Sequence, residues 1–422
     1  MKSIILWFLL VAMLDCNLFS QNHYDYSFDG GGEYIFESHN ICLTNNDRSL
    51  IWKEIKQNQK NIINDKLPFK NCKQSIAYEW PLRKHSSLVF NNYYGISNFV
   101  DHDNRVDSIL DYNCFSRTYD GHKGTDIFTW PFPWYLYNNN YIEVIASEAG
   151  TIINKHDGNI DDHCSWNAGG SWNAVYIQHT DGTIAWYGHL KQNSLTSKTV
   201  GQMVVKGEYL GVVASSGNST GPHLHFEVYD SLNNLIDPFQ GNCNVLNSFS
   251  CWLTQRTYRD PTVNAILTHE AKPIHGCPGI NEDPHVSNNF SIGDTIFLAV
   301  YFADRQAGDS AKYRIKTPNN ITWDNWNQVS SMTFNASWYY WIKLLPLNGP
   351  FGIWEFEVDF FGQTYTHYFN YSAIVSIEDI LQKTRILKRV TNVLGRNINP
   401  APNVPLFYIY DNGTVEKRIT IE

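Results

Sequence analysis

The stretch Gly217-Asn218-Ser219-Thr220-Gly221-Pro222-His223-Leu224-His225-Phe226-Glu227 sets two histidines one residue apart at the head of a strand-like run. On a strand, residues i and i+2 share a face, so His223 and His225 point side by side. The Gly-Asn-Ser-Thr-Gly-Pro run ahead of them is turn chemistry that delivers a strand at a fixed angle. Two imidazoles on one face are what a metal site needs, because neutral imidazole is the commonest zinc ligand. Taken alone, His-Leu-His also occurs on many strands whose histidines have no chemical role.

Two further stretches narrow the reading. Upstream lies Asp120-Gly121-His122-Lys123-Gly124-Thr125-Asp126, and between it and the histidine pair comes Trp186-Tyr187-Gly188-His189-Leu190. In this order, His-x-Gly-x-Asp, Tyr-x-His-Leu and His-x-His resemble the lysostaphin/LytM-type zinc metalloendopeptidases. Smaller landmarks agree: Ala149-Gly150-Thr151-Ile152, Val205-Lys206-Gly207 followed by Leu210-Gly211, and the closing Asp237-Pro238. The resemblance runs from about Thr118 to Phe239.

It implies a compact antiparallel-sheet core binding one zinc ion per chain through His122, Asp126 and His225. A hydrolytic centre of this kind has three protein ligands and an open position for water. His189 and His223 are then left to orient the water, stabilise the oxyanion and pass a proton to the leaving amine, the division between them being open. The implied substrate is the stem peptide or crossbridge of peptidoglycan. The alternatives are a protease cutting Gly-rich or other extracellular proteins, and an inactive wall-binding module, which the complete five-residue set argues against. His156, His163 and His179 are read as structural histidines.

A chain of 422 residues exceeds one ordinary domain. Aromatics at 15% indicate a packed, strand-rich protein, since disorder needs few of them. A net charge of −9 argues against nucleic acid as the main partner, because that surface must be basic. No internal run of 18 apolar residues marks a membrane span. With the resemblance, the fold class expected is mainly β: the zinc peptidase core that the resemblance implies, with an N-terminal extension, a C-terminal β-sandwich and a short C-terminal β tail. The boundaries read as 1–20 signal peptide, 21–113 extension, 114–240 metallopeptidase domain, 241–285 Cys-containing connector, 286–372 sandwich and 377–422 tail.

The first segment has Lys2, an apolar run from Ile4 to Met13 and a cleavage site at Leu18-Phe19-Ser20, which is signal-peptide grammar. A lipoprotein signal at Cys16 is the alternative, disfavoured by Asp15 before it. Cleavage leaves seven of the eight cysteines, Cys42, Cys72, Cys114, Cys164, Cys243, Cys251 and Cys277, in an oxidising compartment. Sequence does not fix the connectivity; the pairing expected is Cys42 with Cys72, Cys114 with Cys164, and Cys243 with Cys277 or Cys251. The protein is thus placed outside the cell or at its surface, as a monomer.

Elsewhere, Ser49 to Ile63 reads as a helix, and the extension either wraps the enzyme domain or forms a small domain of its own. Strands are predicted at Tyr141–Ala146, Gly150–Lys155, Ala174–His179, Ile184–Leu190, Tyr209–Ala214 and Leu224–Tyr229. Trp130-Pro131-Phe132-Pro133-Trp134 and the loop Asp157 to Ser171 could both line a groove, with packing the favoured role for the aromatic run. In Ile353 to Phe360, Trp354, Phe356, Val358 and Phe360 alternate with acidic residues, the pattern of a half-buried strand. Asp294 to Phe302 is continuously apolar. The tail, with helical spacing from Ile377 to Leu387 and a hairpin signal at Asn412-Gly413, resembles type IX secretion sorting domains, which implies the secretion machinery as a partner.

Overall fold

The computed structural model describes residues 28–36, 42–63, 77–165, 171–277, 282–373, 387–411, 413 and 415–419. The expected signal peptide, Cys72 and the helical spacing before Leu387 lie outside them. Among the described residues the architecture is mainly β, with almost every sheet pairing antiparallel.

The predicted strands form where their β-branched and aromatic content places them. Gly150–His156, Ala174–His179, Ile184–Gly188 and His223–Tyr229 lie in one large sheet. Its order runs from Tyr94–Asn98 through Thr125–Thr129, His223–Tyr229, Ile184–Gly188, Ala174–His179 and Gly150–His156 to Met203–Val204, with Leu235–Ile236 beside the histidine strand. Ile142–Ile145 and Tyr209–Val212 join Leu82–Lys84 in a second, three-stranded sheet. The strand Thr125–Thr129 was not among the predicted ones.

The two faces of the large sheet have different fates. On the histidine strand, Leu224, Phe226 and Val228 enter the main core, with Ile127, Ile152, Ile177 and Tyr187 from the neighbouring strands. His223, His225, Glu227 and Tyr229 occupy the opposite face, as the strand period of two requires. Over that face lies the helix Asn45–Ile63. Ile51 and Ile55, one helical turn apart, bury themselves against Ile153, Trp172, Tyr176 and Trp186. Each such isoleucine contributes about 1.5–3 kcal/mol. The helix begins four residues before its expected start because Thr44 and Asp47 cap it reciprocally. The Asp47 amide donates to Thr44 Oγ1 at 3.2 Å, and the Thr44 amide donates to Asp47 Oδ2 at 2.9 Å.

The aromatic run Trp130–Trp134 is interior, with Trp130 and Phe132 fully buried against Tyr301. Packing is thus its role. Tyr301 belongs to Thr295–Ala303, the continuously apolar stretch, and its apolarity has a direct cause. Ile296, Leu298, Val300 and Phe302 face the interior between the two C-terminal sheets, while Ala299 and Tyr301 join the main core. Those two sheets are a four-stranded one (Gly30–Glu33, Ala336–Leu344, Thr295–Ala303 and Thr262–His269) and a five-stranded one that includes Gly352–Phe360. Thr262–His269 comes from the stretch read as a connector, and Gly30–Glu33 from the N-terminal extension. In the tail, Leu387–Thr391, Leu406–Tyr410 and Val415–Arg418 make a small separate sheet, its last two strands paired antiparallel.

The cysteine pairing differs from that expected. Cys114 bonds Cys243 and Cys164 bonds Cys277, with Cα–Cα distances of 5.1 and 5.8 Å, while Cys42 and Cys251 are free. The Cys243 amide donates to the Tyr112 carbonyl at 2.9 Å, and Tyr112 stacks on Phe239, so the segment after Asp237 returns to the one before His122. Each bridge closes a loop of more than a hundred residues, and removing either one is expected to cost about 2–5 kcal/mol. Peptide mapping without reduction should recover these two pairs; recovering Cys114 bonded to Cys164 would contradict the fold.

Candidate metal centre

Strand register assembles the site. His225 stands directly opposite Asp126 on one side and Gly188 on the other. The carboxylate therefore shares a face with the imidazole, and His189, one residue past Gly188, enters from the far side. His189 lies at φ 63°, in the left-handed region, which turns the chain as the strand ends. Two glycines are required by contact. A Cβ on Gly124 would lie 2.6 Å from His225 Nε2, and one on Gly188 would lie 2.2 Å from the Trp172 ring.

All five sequence-predicted residues come together. His225 Nδ1 is 2.7 Å from Asp126 Oδ1, His122 Nε2 is 3.2 Å from Asp126 Oδ2, and the two ring nitrogens are 3.3 Å apart. His223 Nε2 lies 3.6 Å from Asp126 Oδ1, and the His189 and His223 rings are 4.4 Å apart, centre to centre. His156 is elsewhere, paired with Glu54 at 2.6 Å, and His179 bonds the Ala149 carbonyl at 2.9 Å, as structural histidines do.

Backbone carbonyls fix the tautomers. Nδ1 of His122 donates to Phe99 at 2.7 Å, Nδ1 of His189 to Ser216 at 2.6 Å, and Nδ1 of His223 to Gly221 at 2.9 Å. In the neutral ring each Nε2 is then a bare lone pair facing inward. His225 is turned the other way: its Nε2 donates to Glu227 Oε1 at 2.7 Å, leaving Nδ1 to face Asp126. Metal-binding histidines are typically oriented through the far nitrogen in this manner. One donor each from His122, Asp126 and His225 lies within 4.8 Å of the others, and so does a second set, Cys42, His189 and His225.

The buried groups of the site shift one another: burial would lower His225, but Cys42 and Asp126 hold it well above the ordinary histidine value. Burial alone would raise the Asp126 carboxyl, yet His122 and His225 hold it well below the usual carboxylate range. Burial, reinforced by the neighbouring histidines, pushes His189 well below the ordinary histidine value. His223 is lowered chiefly by burial, against the pull of Asp126. Asn98 Nδ2 donates to Asp126 Oδ2 at 3.0 Å and fixes the carboxylate plane.

Sequence reasoning missed the supporting residues. Glu227 was within reach, since period two puts it on the face of His223 and His225. Arg48 was not: it meets Glu227 across 179 residues, with both guanidinium nitrogens at 2.7 Å from the carboxylate oxygens. Glu227 is fully buried; burial would raise its carboxyl, but Arg48 and His225 hold it well below the usual range. Removing one partner of a buried pair strands the other charge. Arg48→Ala is accordingly expected to lower unfolding free energy by about 3–5 kcal/mol in urea titration, and a loss under about 1 kcal/mol would show that the pair is solvated.

Residues 121–238 match Peptidase family M23. The DD-carboxypeptidase/endopeptidase Mpg of Neisseria meningitidis serogroup B is 49% identical over 59 residues, 14% of this chain and 13% of that protein. The cell division protein DipM of Caulobacter vibrioides is 31% identical over 90 residues, 21% of this chain and 14% of that protein. The chain thus spans well under a fifth of the length of either relative. A solved zinc containing peptidase from Vibrio cholerae is similar at 21% identity over 39% of each chain, with a TM-score of 0.25.

Proposed function

We propose that this chain is an exported zinc metalloendopeptidase, acting as a monomer on peptide bonds of peptidoglycan stem peptides or crossbridges. The observation that carries the reading is the convergence of one ring nitrogen each from His122 and His225 with the Asp126 carboxylate, all within 4.8 Å of one another. The match to Peptidase family M23 supports peptide-bond hydrolysis, as does a relative called a DD-carboxypeptidase/endopeptidase. Incubating the purified protein with peptidoglycan and with Gly-rich protein, then identifying new termini by mass spectrometry, separates the wall substrate from the alternative.

Of the two donor sets, His122, Asp126 and His225 suit hydrolysis better. A site on Cys42, His189 and His225 would consume His189 and leave the buried Asp126 carboxylate without a cation. The chosen set supplies three ligands and leaves a position open. Zinc held there supplies a Lewis-acidic centre and lowers the pKa of bound water from ~15.7 to about 7. His189 and His223 flank the open side with Nε2 bare and Nδ1 committed to a carbonyl, so each can accept a proton at Nε2 and give it back from there. Protonated, the same nitrogen is a donor for a carbonyl oxygen gaining negative charge.

Ligand and proton-handling roles separate by mutation. His122→Ala, Asp126→Ala and His225→Ala should lose both zinc and activity. His189→Ala and His223→Ala should keep near-stoichiometric zinc while kcat falls by on the order of 10²–10³ each. Metal analysis of the five proteins decides; zinc loss in His189→Ala equal to that in His225→Ala would overturn the assignment.

Export rests on the signal-like first segment and on the tail from Ile377 to Glu422, which resembles a sorting domain. Deleting that tail is expected to leave active enzyme in the periplasm of the native host. Unchanged levels at the surface or in the medium would rule the sorting role out.

A further inference from the structure

Two cavities lead from the metal centre to the C-terminal sheets. The inner one, about 200 Å³, is lined by Asn98, whose amide holds Asp126, and by Phe128, opposite His223 in the strand register. Phe36, edge-on to the His223 ring at 5.3 Å, forms another wall. The outer one holds about 540 Å³ and is lined by Arg259 and Gln306. Ser116, Arg117 and Asn335 line both, so the two are parts of one groove. Arg117, Arg259 and Asn335 all lie outside the stretch 121–238 that matches the family.

The far end of the groove carries positive charge. Arg117 is buried; it donates to Asp304 Oδ1 at 2.7 Å, to the Tyr258 carbonyl at 2.9 Å and to the Ile96 carbonyl, and its Nε has no partner. Arg259 reaches the same Asp304 oxygen at 3.3 Å and Asn335 Oδ1 at 2.9 Å, both from Nη1. Two guanidiniums thus share one carboxylate. Asp111, close by, is spent on three backbone amides and the Tyr258 hydroxyl. Burial, then Arg117, lowers the Arg259 guanidinium against the pull of Asp304.

Holding the neighbouring sheet uses Nη1 of Arg259 alone. Among the described residues, Nε and Nη2 of Arg259 and Nδ2 of Asn335 donate to no protein group. A guanidinium with a free edge, set beside a primary amide, matches a carboxylate in both charge and shape. Its half-buried setting weakens screening by water. Arg117 holds the carbonyl of Ile96, two strand residues from Asn98, and Arg259 adjoins it across Asp304. The free donors are therefore on the order of 10 Å from Asp126, about three residues of extended peptide.

We infer that Arg259 and Asn335 bind a carboxylate of the peptide substrate, terminal or side-chain, and so select acidic peptides for the centre. This inference rests on the peptidase reading proposed above. Both residues set specificity and take no part in the chemistry, since neither reaches the reacting atoms.

The test uses soluble peptidoglycan fragments with their carboxyl groups either free or converted to amides. Calorimetric titration of the full-length chain, with metal removed by chelation so that nothing is cut, compares the two. Wild type should bind the free acids at least tenfold tighter than the amides. Arg259→Ala should remove that preference. So should Asn335→Asp, which keeps the acceptor for Arg259 but replaces the Nδ2 donor with a carboxylate oxygen. This second variant adds an ion pair, so it decides the matter even if Arg259→Ala folds poorly. Equal affinity for acids and amides in wild type, or a preference that survives in Asn335→Asp, would overturn the subsite and leave the peptidase reading standing. Zinc-loaded wild type that releases no new termini from the free acids would overturn the peptidase reading, and with it the substrate role of the groove.

Discussion

The position of one strand between two others governs everything else in the site. His223–Tyr229 is held by Thr125–Thr129 on one edge and Ile184–Gly188 on the other, and that register sets Asp126 opposite His225. A slip of one residue would send both histidines into the core and Leu224 and Phe226 to the polar face. The slip is penalised on both faces at once. It would bury imidazoles among Ile127, Ile177 and Tyr187, and it would separate Glu227 from Arg48. The geometry of the donors is thus a by-product of core packing, which the rest of the sheet and the C-terminal sheet behind it enforce.

Charge is handled with equal economy. Asp126, Glu227 and Arg48 are all buried, a costly state unless each is paired. Glu227 is neutralised by Arg48 and spends its remaining acceptor capacity on His225 Nε2 and the Tyr229 hydroxyl. Asp126 has no guanidinium; it faces imidazole nitrogens and the Asn98 amide. One carboxylate is answered within the protein, and the other is left with partners that also bind metal. The helix carrying Arg48 therefore links the N-terminal extension to the orientation of a candidate ligand.

Much of this was legible in the sequence, for reasons of range. Strand periodicity is local, so Ala174–His179 and the histidine strand could be read directly from their side-chain types. The five candidate residues fall in three short stretches whose order resembles a known family. The strand around Asp126 was passed over because its residues were read only as a motif. Contacts that span the chain left no local trace: Cys42 meets His225 across 183 residues, and the disulfides join segments 129 and 113 residues apart. Phe36 gave no signal of its own. Only the fold puts it on His223.

The central claim is that His122, Asp126 and His225 form the metal site, and the chemistry of the donors makes it directly measurable. X-ray absorption at the zinc edge on the full-length, zinc-loaded protein reads the ligand shell without any mutation. The account predicts nitrogen and oxygen scatterers only, at about 2.0–2.2 Å, with imidazole signatures from two histidines. A sulfur scatterer at about 2.3 Å with two imidazoles and no carboxylate oxygen would place the ion on Cys42 with His189 and His225, and would contradict it.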